Sequence, residues 1–562
     1  MAYSIIGIDF GTSTTVVTVK NYHDSMQRKE CQPLIVDGSA SIPTQVFIRE
    51  DGVYFFGKEV DSELQAGCSG TAFRNFKMDL IHPDSEKRRN AQELTKAFFG
   101  YLYRQFDSQR EFLHVCPETK TYISYPAKWT PDIISFMKQC AIDAGFGNAY
   151  SVFGETEPTA AIYAALTHYE EMIYESGVIA QNRPINVLML DMGAGTSDIT
   201  IFKLLVDSNN RFSIGHDGQI ISHPAIDNAY LCGGREIDEV LADYNESYLQ
   251  RILTGHSIPE GLLKVNREGV KEWKETSVSK RLAEDATVPI PGYLNSTLNM
   301  LSQFGMVSNT PYPAIDRGVF ELLTRSHWSQ LHALLSDAVS KASHVIEGVT
   351  GPESIDLAIV TGGHSQWYCV KDLLSGKSVA GLHPLPFNKL INDSKKLICE
   401  SRPQETVACG LAYRDLEFDV KHTSPNSLWI KFRLQDTKGK CIPSEIFNPL
   451  VQFDTLPCKT TISWSPVIQA HTLSLSDAKL ECDCLYGTDP STAVAHSVTT
   501  YIELNTIFGV VFTFLLGGFL GGDSSYKITI KVDVNVSEDG SGFLEGEASS
   551  EYADSSYFRI DF

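Results

Sequence analysis

Positive charge is the scarce ingredient of this 562-residue chain. It has 47 Lys and Arg against 69 Asp and Glu, a net charge of −22. Phosphate backbones and anionic lipid surfaces are bound by clustered cations, so a broad nucleic-acid groove or membrane-binding face is excluded. A nucleotide is not, because a local nest of backbone N–H groups can hold phosphate on an acidic protein. Paired cysteine blocks are also missing. The 12 cysteines are scattered, only Cys482 and Cys484 lie close together, and a reduced set of thiols is expected rather than a disulfide scaffold. No long apolar run reaches the roughly 20 residues of a spanning helix. The greasiest stretch, 507–520, is broken by Gly509, Gly517 and Gly518 and reads as a buried strand pair, with membrane insertion or partner binding as the alternative. The first residues carry no basic, signal-like region, and Asp9 interrupts their apolar run at once. What remains is 43% hydrophobic, 10% aromatic and 21% charged, a globular composition long enough for several subdomains.

Strand-like and helix-like segments alternate up to about residue 420, an α/β signature. Beyond 424 the pattern changes to period two. Leu428, Ile430, Phe432 and Leu434 alternate with Trp429, Lys431, Arg433 and Gln435, and Ile528, Ile530, Val532, Val534 and Val536 alternate with polar neighbours. Half-buried antiparallel strands read this way. Residues 551–562, rich in acids, are expected to be a mobile tail.

Four segments carry chemistry. In Ile6-Gly7-Ile8-Asp9-Phe10-Gly11-Thr12-Ser13-Thr14-Thr15 an apolar strand ends in an acid. A tight turn rich in N–H and hydroxyl donors follows, then a β-branched strand. Such a turn suits phosphate oxygens. A carboxylate beside them makes sense with a divalent cation or an attacking water between. Leu190-Asp191-Met192-Gly193-Ala194-Gly195-Thr196-Ser197-Asp198 repeats the device. Two such hairpins imply two similar lobes clamping one polyphosphate, with Asp9 and Asp191 brought to a shared metal and Asp198 placed to hold its shell or orient water. The third segment, Val360-Thr361-Gly362-Gly363-His364-Ser365-Gln366, runs a strand into paired glycines on which a ribose or base could lie. The fourth, Gly154-Glu155-Thr156-Glu157-Pro158-Thr159-Ala160-Ala161, opens a small-residue helix with Pro158 in its first turn, suited to close approach of two lobes.

In this order the four segments resemble the sugar-kinase/heat-shock-70/actin superfamily, and most of all the heat-shock-70 chaperones. Leu231-Cys232-Gly233-Gly234-Arg235, Tyr125-Pro126 and Pro403-Gln404-Glu405-Thr406 extend the resemblance over roughly residues 4–415, and insertions point to the divergent heat-shock-70-related protein 12 branch. It implies a two-lobed actin-like ATPase domain with ribonuclease-H-like lobes over 1–422 (lobe I about 1–188 and 381–422, lobe II about 189–380), then a β-rich substrate-binding-like domain over 423–550 and the tail 551–562. It also implies site roles. Gly11, Thr12, Ser13 and Thr14 would hold phosphates from one side, and Gly193, Ala194, Gly195 and Thr196 from the other. Asp9, Asp191 and Asp198 would surround Mg²⁺, mostly through water. Lys77, with Arg74 as its rival, would align the attacking water, and Glu157 would bridge to the metal shell. Pro126 would be an interdomain switch. Gly233, Gly234, Lys274, Gly362, Gly363, Ser365 and Gln366 would contact the nucleoside.

Three departures qualify those implications. Gln366 replaces a usual arginine and Glu275 a usual cation, which removes the usual sandwich around adenine. Ala194 replaces a glycine, so its methyl group would shift the γ-phosphate and slow hydrolysis. The resemblance in the β region rests on Lys438-Gly439-Lys440-Cys441-Ile442 and 527–546. No helical lid and no Glu-Glu-Val-Asp terminus follow in the sequence, which implies a latchless groove with faster exchange. The expected activity is ATP hydrolysis to ADP and phosphate, coupled to binding of unfolded or partner polypeptide, with co-chaperones or a nucleotide exchange factor as further partners. Neither nucleic acid nor stable membrane insertion is expected, and the expected location is cytoplasmic, with the nucleus as a second site. The alternatives are a non-hydrolysing ATP-sensing scaffold and, less favoured, a small-molecule kinase. A P-loop is excluded because Lys371 stands where its first glycine belongs.

Overall fold

The computed structural model describes residues 2–22, 31–126, 129–178, 184–193, 195, 197–206, 212–214, 221–223, 232–253, 257–303, 307–308, 310–346, 348–391, 393–399, 402–414, 419–420, 422–423, 427–435, 440–442, 446–451, 455–456, 458–471, 478–487, 490–491, 493–502, 523–536, 542–550 and 553–561. The chain divides into two compact units, 1–126 with 140–419 and 127–139 with 420–562. It is a mixed α/β protein with several sheets.

The first unit is built on two sheets of one topology. In the first, β1 (Tyr3–Phe10) pairs antiparallel with β2 (Thr14–Tyr22), whose outer edge takes β3 (Gln32–Pro33). On its other side β1 runs parallel to β4 (Glu118–Tyr125), and β4 runs parallel to β5 (Val152–Thr156). In the second sheet, β6 (Ile185–Met192) pairs antiparallel with β7 (Ser197–Val206) and parallel with β8 (Leu357–Thr361), which pairs parallel with β9 (Leu397–Cys399). The apolar runs of β1 and β6 are buried almost throughout, as expected of central strands covered on both faces.

Four helices matter for the site. These are α1 (Phe76–Asp79), α2 (Glu157–His168), α3 (Gly234–Ile252) and α4 (Thr406–Ala412). Helix α2 starts where Thr156 accepts from the Thr159 N–H, with Pro158 in the first turn. Its alanines make room for α4. A side chain at Gly410 would collide with the Ala160 carbonyl, so the two backbones touch because neither residue carries bulk. The small-residue helix foreseen for lobe contact thus serves a helix–helix crossing inside the first unit.

The second unit is a β sandwich with one core. One sheet carries β10 (Ser427–Gln435), β12 (Ala478–Gly487) and β13 (Val494–Ile502), and the other β11 (Cys458–Trp464), β14 (Asp523–Val536), β15 (Gly542–Ser550) and β16 (Ala553–Asp561). Leu428, Ile430, Phe432 and Leu434 face Ile528, Ile530, Val532 and Val534 in a single buried cluster, the faces that the alternation foretold. The expected acidic tail is corrected here. Residues 553–561 form β16 in register with β15, because Phe558 and Ile560 point into the core and Arg559 pairs with Glu545 and Asp561 at 2.9 Å. The apolar stretch 507–520 lies outside the described residues. Among those described, no helix is long and apolar enough to cross a membrane.

Candidate functional site

The ends of β1 and β6 open on one cavity of about 530 Å³ within the first unit. Each strand delivers an aspartate there. Asp9 is half-buried and accepts from Ser124 Oγ at 2.7 Å. Burial and the nearby Glu157 charge raise its carboxyl to about 6, while Lys77 and the Ser124 hydroxyl oppose that rise. Asp191 stands opposite Asp198 across the β6–β7 hairpin. Its carboxyl is held well above the ordinary range by burial and by the charges of Asp198, Glu157 and Asp9.

Lys77 projects from the short helix α1 and is 4% exposed. Its Nζ meets Glu157 Oε1 at 2.7 Å, joining α1 to the N-terminus of α2, where an acid is favoured by the helix dipole. Arg74, the rival for this place, instead reaches Asp61 and Gln45 on an exposed edge and does not line the cavity. The cavity floor therefore carries Asp9, Glu157, Asp191 and Asp198 with Lys77 among them. That excess of negative charge is the chemistry a divalent cation offsets. No three His, Cys, Asp or Glu among the described residues converge tightly enough to ligate an ion directly. The carboxylates that line the cavity fit a hydrated Mg²⁺, which keeps several waters and needs few protein oxygens.

The two hairpin turns face each other above this floor. Gly11, Thr12, Ser13 and Thr14 line one side and Gly193 and Gly195 the other. A Cβ on Gly195 would sit 3.3 Å from Thr12 Oγ1, so the turns nearly touch. Ala194 and Thr196 lie outside the described residues. Gly362, at φ +82° just past β8, leaves no space for a side chain because Asp191 Oδ1 and Met192 O occupy it.

The remaining wall holds Gly234, Lys274, Gly362, Gly363 and Gln366, while Gly233 and Ser365 are not among the lining residues. Gly233 precedes α3 as its cap, and Ser365 turns inward to donate to Gly362 O at 2.7 Å. Lys274 is buried, donates to Gly234 O at 3.0 Å and pairs with Asp238 at 2.7 Å. Its charge is thus engaged by protein groups in this structure.

Sequence reasoning missed several lining residues. Ser41 Oγ donates to Gln404 Oε1 at 2.6 Å, beside Arg402 and Glu405 on the same wall. His364 anchors a buried chain. Trp367 Nε1 donates to His364 Nδ1 at 3.2 Å, His364 and His327 meet through Nε2 at 2.8 Å, and His327 Nδ1 reaches Glu236 at 2.8 Å. Because the indole can only donate, His364 carries its proton on Nε2 and passes it toward His327, whose Nδ1–H then faces the carboxylate. Burial foremost, together with the Lys274 charge, keeps His364 far below the usual imidazole range, so the ring stays neutral. No local motif marks this chain, since His364 lies 37 residues from His327 and His327 lies 91 from Glu236.

Two sheets of like topology each offer an Asp-ended hairpin to one acidic cavity, which the turn residues Gly11, Thr12, Ser13 and Thr14 also line. No family model matches the chain. The chain is similar to chaperone proteins DnaK, of the heat-shock-70 family. It is 24% identical to that of Endomicrobium trichonymphae over 392 residues, 68% of this chain and 55% of the relative. It is 22% identical to that of Thermoplasma acidophilum over 417 residues, 73% of this chain and 57% of the relative, and 22% identical to that of Thermoplasma volcanium over 303 residues, 53% and 42%. The chain thus spans about half the length of the curated relatives it matches.

Proposed function

We propose that the first unit binds Mg-ATP in this cavity and hydrolyses it slowly to ADP and phosphate, as a heat-shock-70-like chaperone ATPase of the divergent protein 12 branch. The carrying observation is the pair of facing hairpin turns, with Thr12 against Gly195, above Asp9 and Asp191. Backbone N–H and hydroxyl groups of Gly11, Thr12, Ser13, Thr14, Gly193, Ala194, Gly195 and Thr196 hold the phosphates. Asp9, Asp191 and Asp198 orient the water shell of Mg²⁺, which when bound supplies charge neutralisation of the phosphates. Lys77, fixed by Glu157, aligns a water for in-line attack on the γ-phosphorus, so catalysis rests on positioning and electrostatics without a covalent intermediate.

Lys274 is engaged by Asp238, and Gln366 and Glu275 stand where cations would flank adenine, so base preference is relaxed. The second unit binds unfolded or partner polypeptide, and co-chaperones or an exchange factor act on the first. The similarity to the DnaK chaperones supports this reading. It is tested by measuring binding and phosphate release together, with ATP and GTP. Release above background that vanishes in EDTA and in Asp198→Lys is expected, and release unchanged by Asp198→Lys refutes it.

A further inference from the structure

Away from the cavity, two thiols from distant parts of the chain meet. Cys31, just before β3, and Cys409, in the middle of α4, bring their Sγ atoms to 2.7 Å although 378 residues separate them. That is longer than the about 2.05 Å of a disulfide but inside non-bonded contact, so closing the bond needs only a small adjustment. The strand beside Cys31 is already tied to the helix that carries Cys409. Thr18 Oγ1 on β2 donates to Ala408 O at 2.7 Å, and Tyr22 Oη donates to Ala412 O at 2.8 Å.

The pair is chemically asymmetric. Cys31 is half-buried, whereas Cys409 is buried. Cys31 N–H donates to Tyr413 Oη at 3.2 Å, and that hydroxyl also meets His168 Nε2 at 3.0 Å. Hydrogen bonds from Cys409 and Tyr413, with the His168 charge, outweigh burial and hold the Cys31 thiol below its usual value. The contact with Cys31 and burial push Cys409 well above. A half-buried thiol held below its usual value, in contact with a buried thiol pushed above it, is the arrangement of a reactive and a resolving cysteine. No third ligand-type side chain among the described residues completes a metal set here.

We propose that Cys31 and Cys409 are a peroxide-responsive thiol pair that closes a reversible intramolecular disulfide between the edge of the first sheet and α4. The Cys31 thiolate attacks one oxygen of hydrogen peroxide, the O–O bond breaks, and hydroxide leaves to take up a proton as water, giving a sulfenic acid. The Cys409 sulfur then attacks the Cys31 sulfur, the S–O bond breaks, and hydroxide leaves with the Cys409 proton as a second water. Two thiols lose two electrons, and one peroxide is reduced to two waters. The link would fasten the helix whose approach, Arg402 to Glu405, lines the cavity.

The test uses the full chain treated with a few equivalents of hydrogen peroxide, alkylated with N-ethylmaleimide, digested and read by mass spectrometry. The expected result is a Cys31–Cys409 linked peptide as the dominant cross-link, lost after dithiothreitol. In Cys409→Ser, Cys31 should stop at a sulfenic acid trapped by dimedone. In Cys31→Ser, Cys409 should be neither linked nor labelled. The wild-type measurement stands even if a variant fails to fold. Recovery of both residues as alkylated thiols, or a cross-link of Cys31 to another cysteine, overturns the proposal.

Discussion

The two Asp-ended hairpins hold the same place in sheets of the same topology, yet their aspartates sit in different fields. Asp9 has a hydroxyl donor in Ser124 and the Lys77 charge nearby, and its carboxyl rises only to about 6. Asp191, whose carboxyl is held well above the ordinary range by burial, also faces the charges of Asp198, Glu157 and Asp9, with Lys77 opposing them. A repeated fold therefore does not repeat its electrostatics. The first hairpin is partly neutralised by the protein itself, while the second has three acidic groups facing it and Lys77 opposing them. Sites of this kind trade stability for function, since like charges are held together before the ligand arrives.

The largest expected effect breaks the comparison through activity. Asp9→Lys, Asp191→Lys and Asp198→Lys should each lower magnesium-dependent phosphate release by about a hundredfold or more, because each plants a fixed charge where the transition-state field is organised. If only the second hairpin responds, the first is a scaffold. Next, Lys77→Ala makes the first hairpin resemble the second. It leaves Glu157 buried and unpaired, and denaturant titration should show a loss of about 3–5 kcal/mol. Arg74→Ala, which removes an ion pair between two well-exposed partners and one hydrogen bond to Gln45, should cost less, about 1 kcal/mol.

Metal-free stability sharpens the contrast further. At pH 7 Asp191→Asn should stabilise the protein in EDTA by about 1–3 kcal/mol, and Asp9→Asn by less, since Asp191 carries the heavier like-charge burden. The pH dependence follows with its sign. A folded carboxyl near 6 against an unfolded value of 3.8 favours the folded state below pH 4 and loses that contribution as the pH rises through 6. The difference between wild type and Asp9→Asn in EDTA should therefore change across that window. A flat difference would show that Asp9 titrates normally. The smallest effect belongs to Gly195→Ala. Its methyl would press on the Thr12 hydroxyl, which can rotate, so stability should shift by under about 1 kcal/mol while ATP binding by calorimetry weakens.

Much of the scaffold was legible because its signals are local. Strand alternation in 428–434 and 528–536, and the apolar-run-to-Asp turns at Asp9 and Asp191, depend on neighbours a few residues apart. The C-terminal strand was misread because its charge hid two inward residues, Phe558 and Ile560, whose value appears only against β15. The wall formed by Ser41, Arg402 and Gln404 was missed for the same reason, since Ser41 and Gln404 are 363 residues apart.

By itself, then, the sequence determined which segments become strands, where the two acid-ended turns fall, and which faces are apolar. These follow from backbone period and side-chain type. Only the tertiary structure decided that Lys77 rather than Arg74 reaches Glu157, that Lys274 is engaged by Asp238, that His364 is held neutral by His327 and a tryptophan, and that Cys31 meets Cys409. Charge state and reactivity depend on desolvation and on partners brought in from far along the chain, and neither exists before the chain folds.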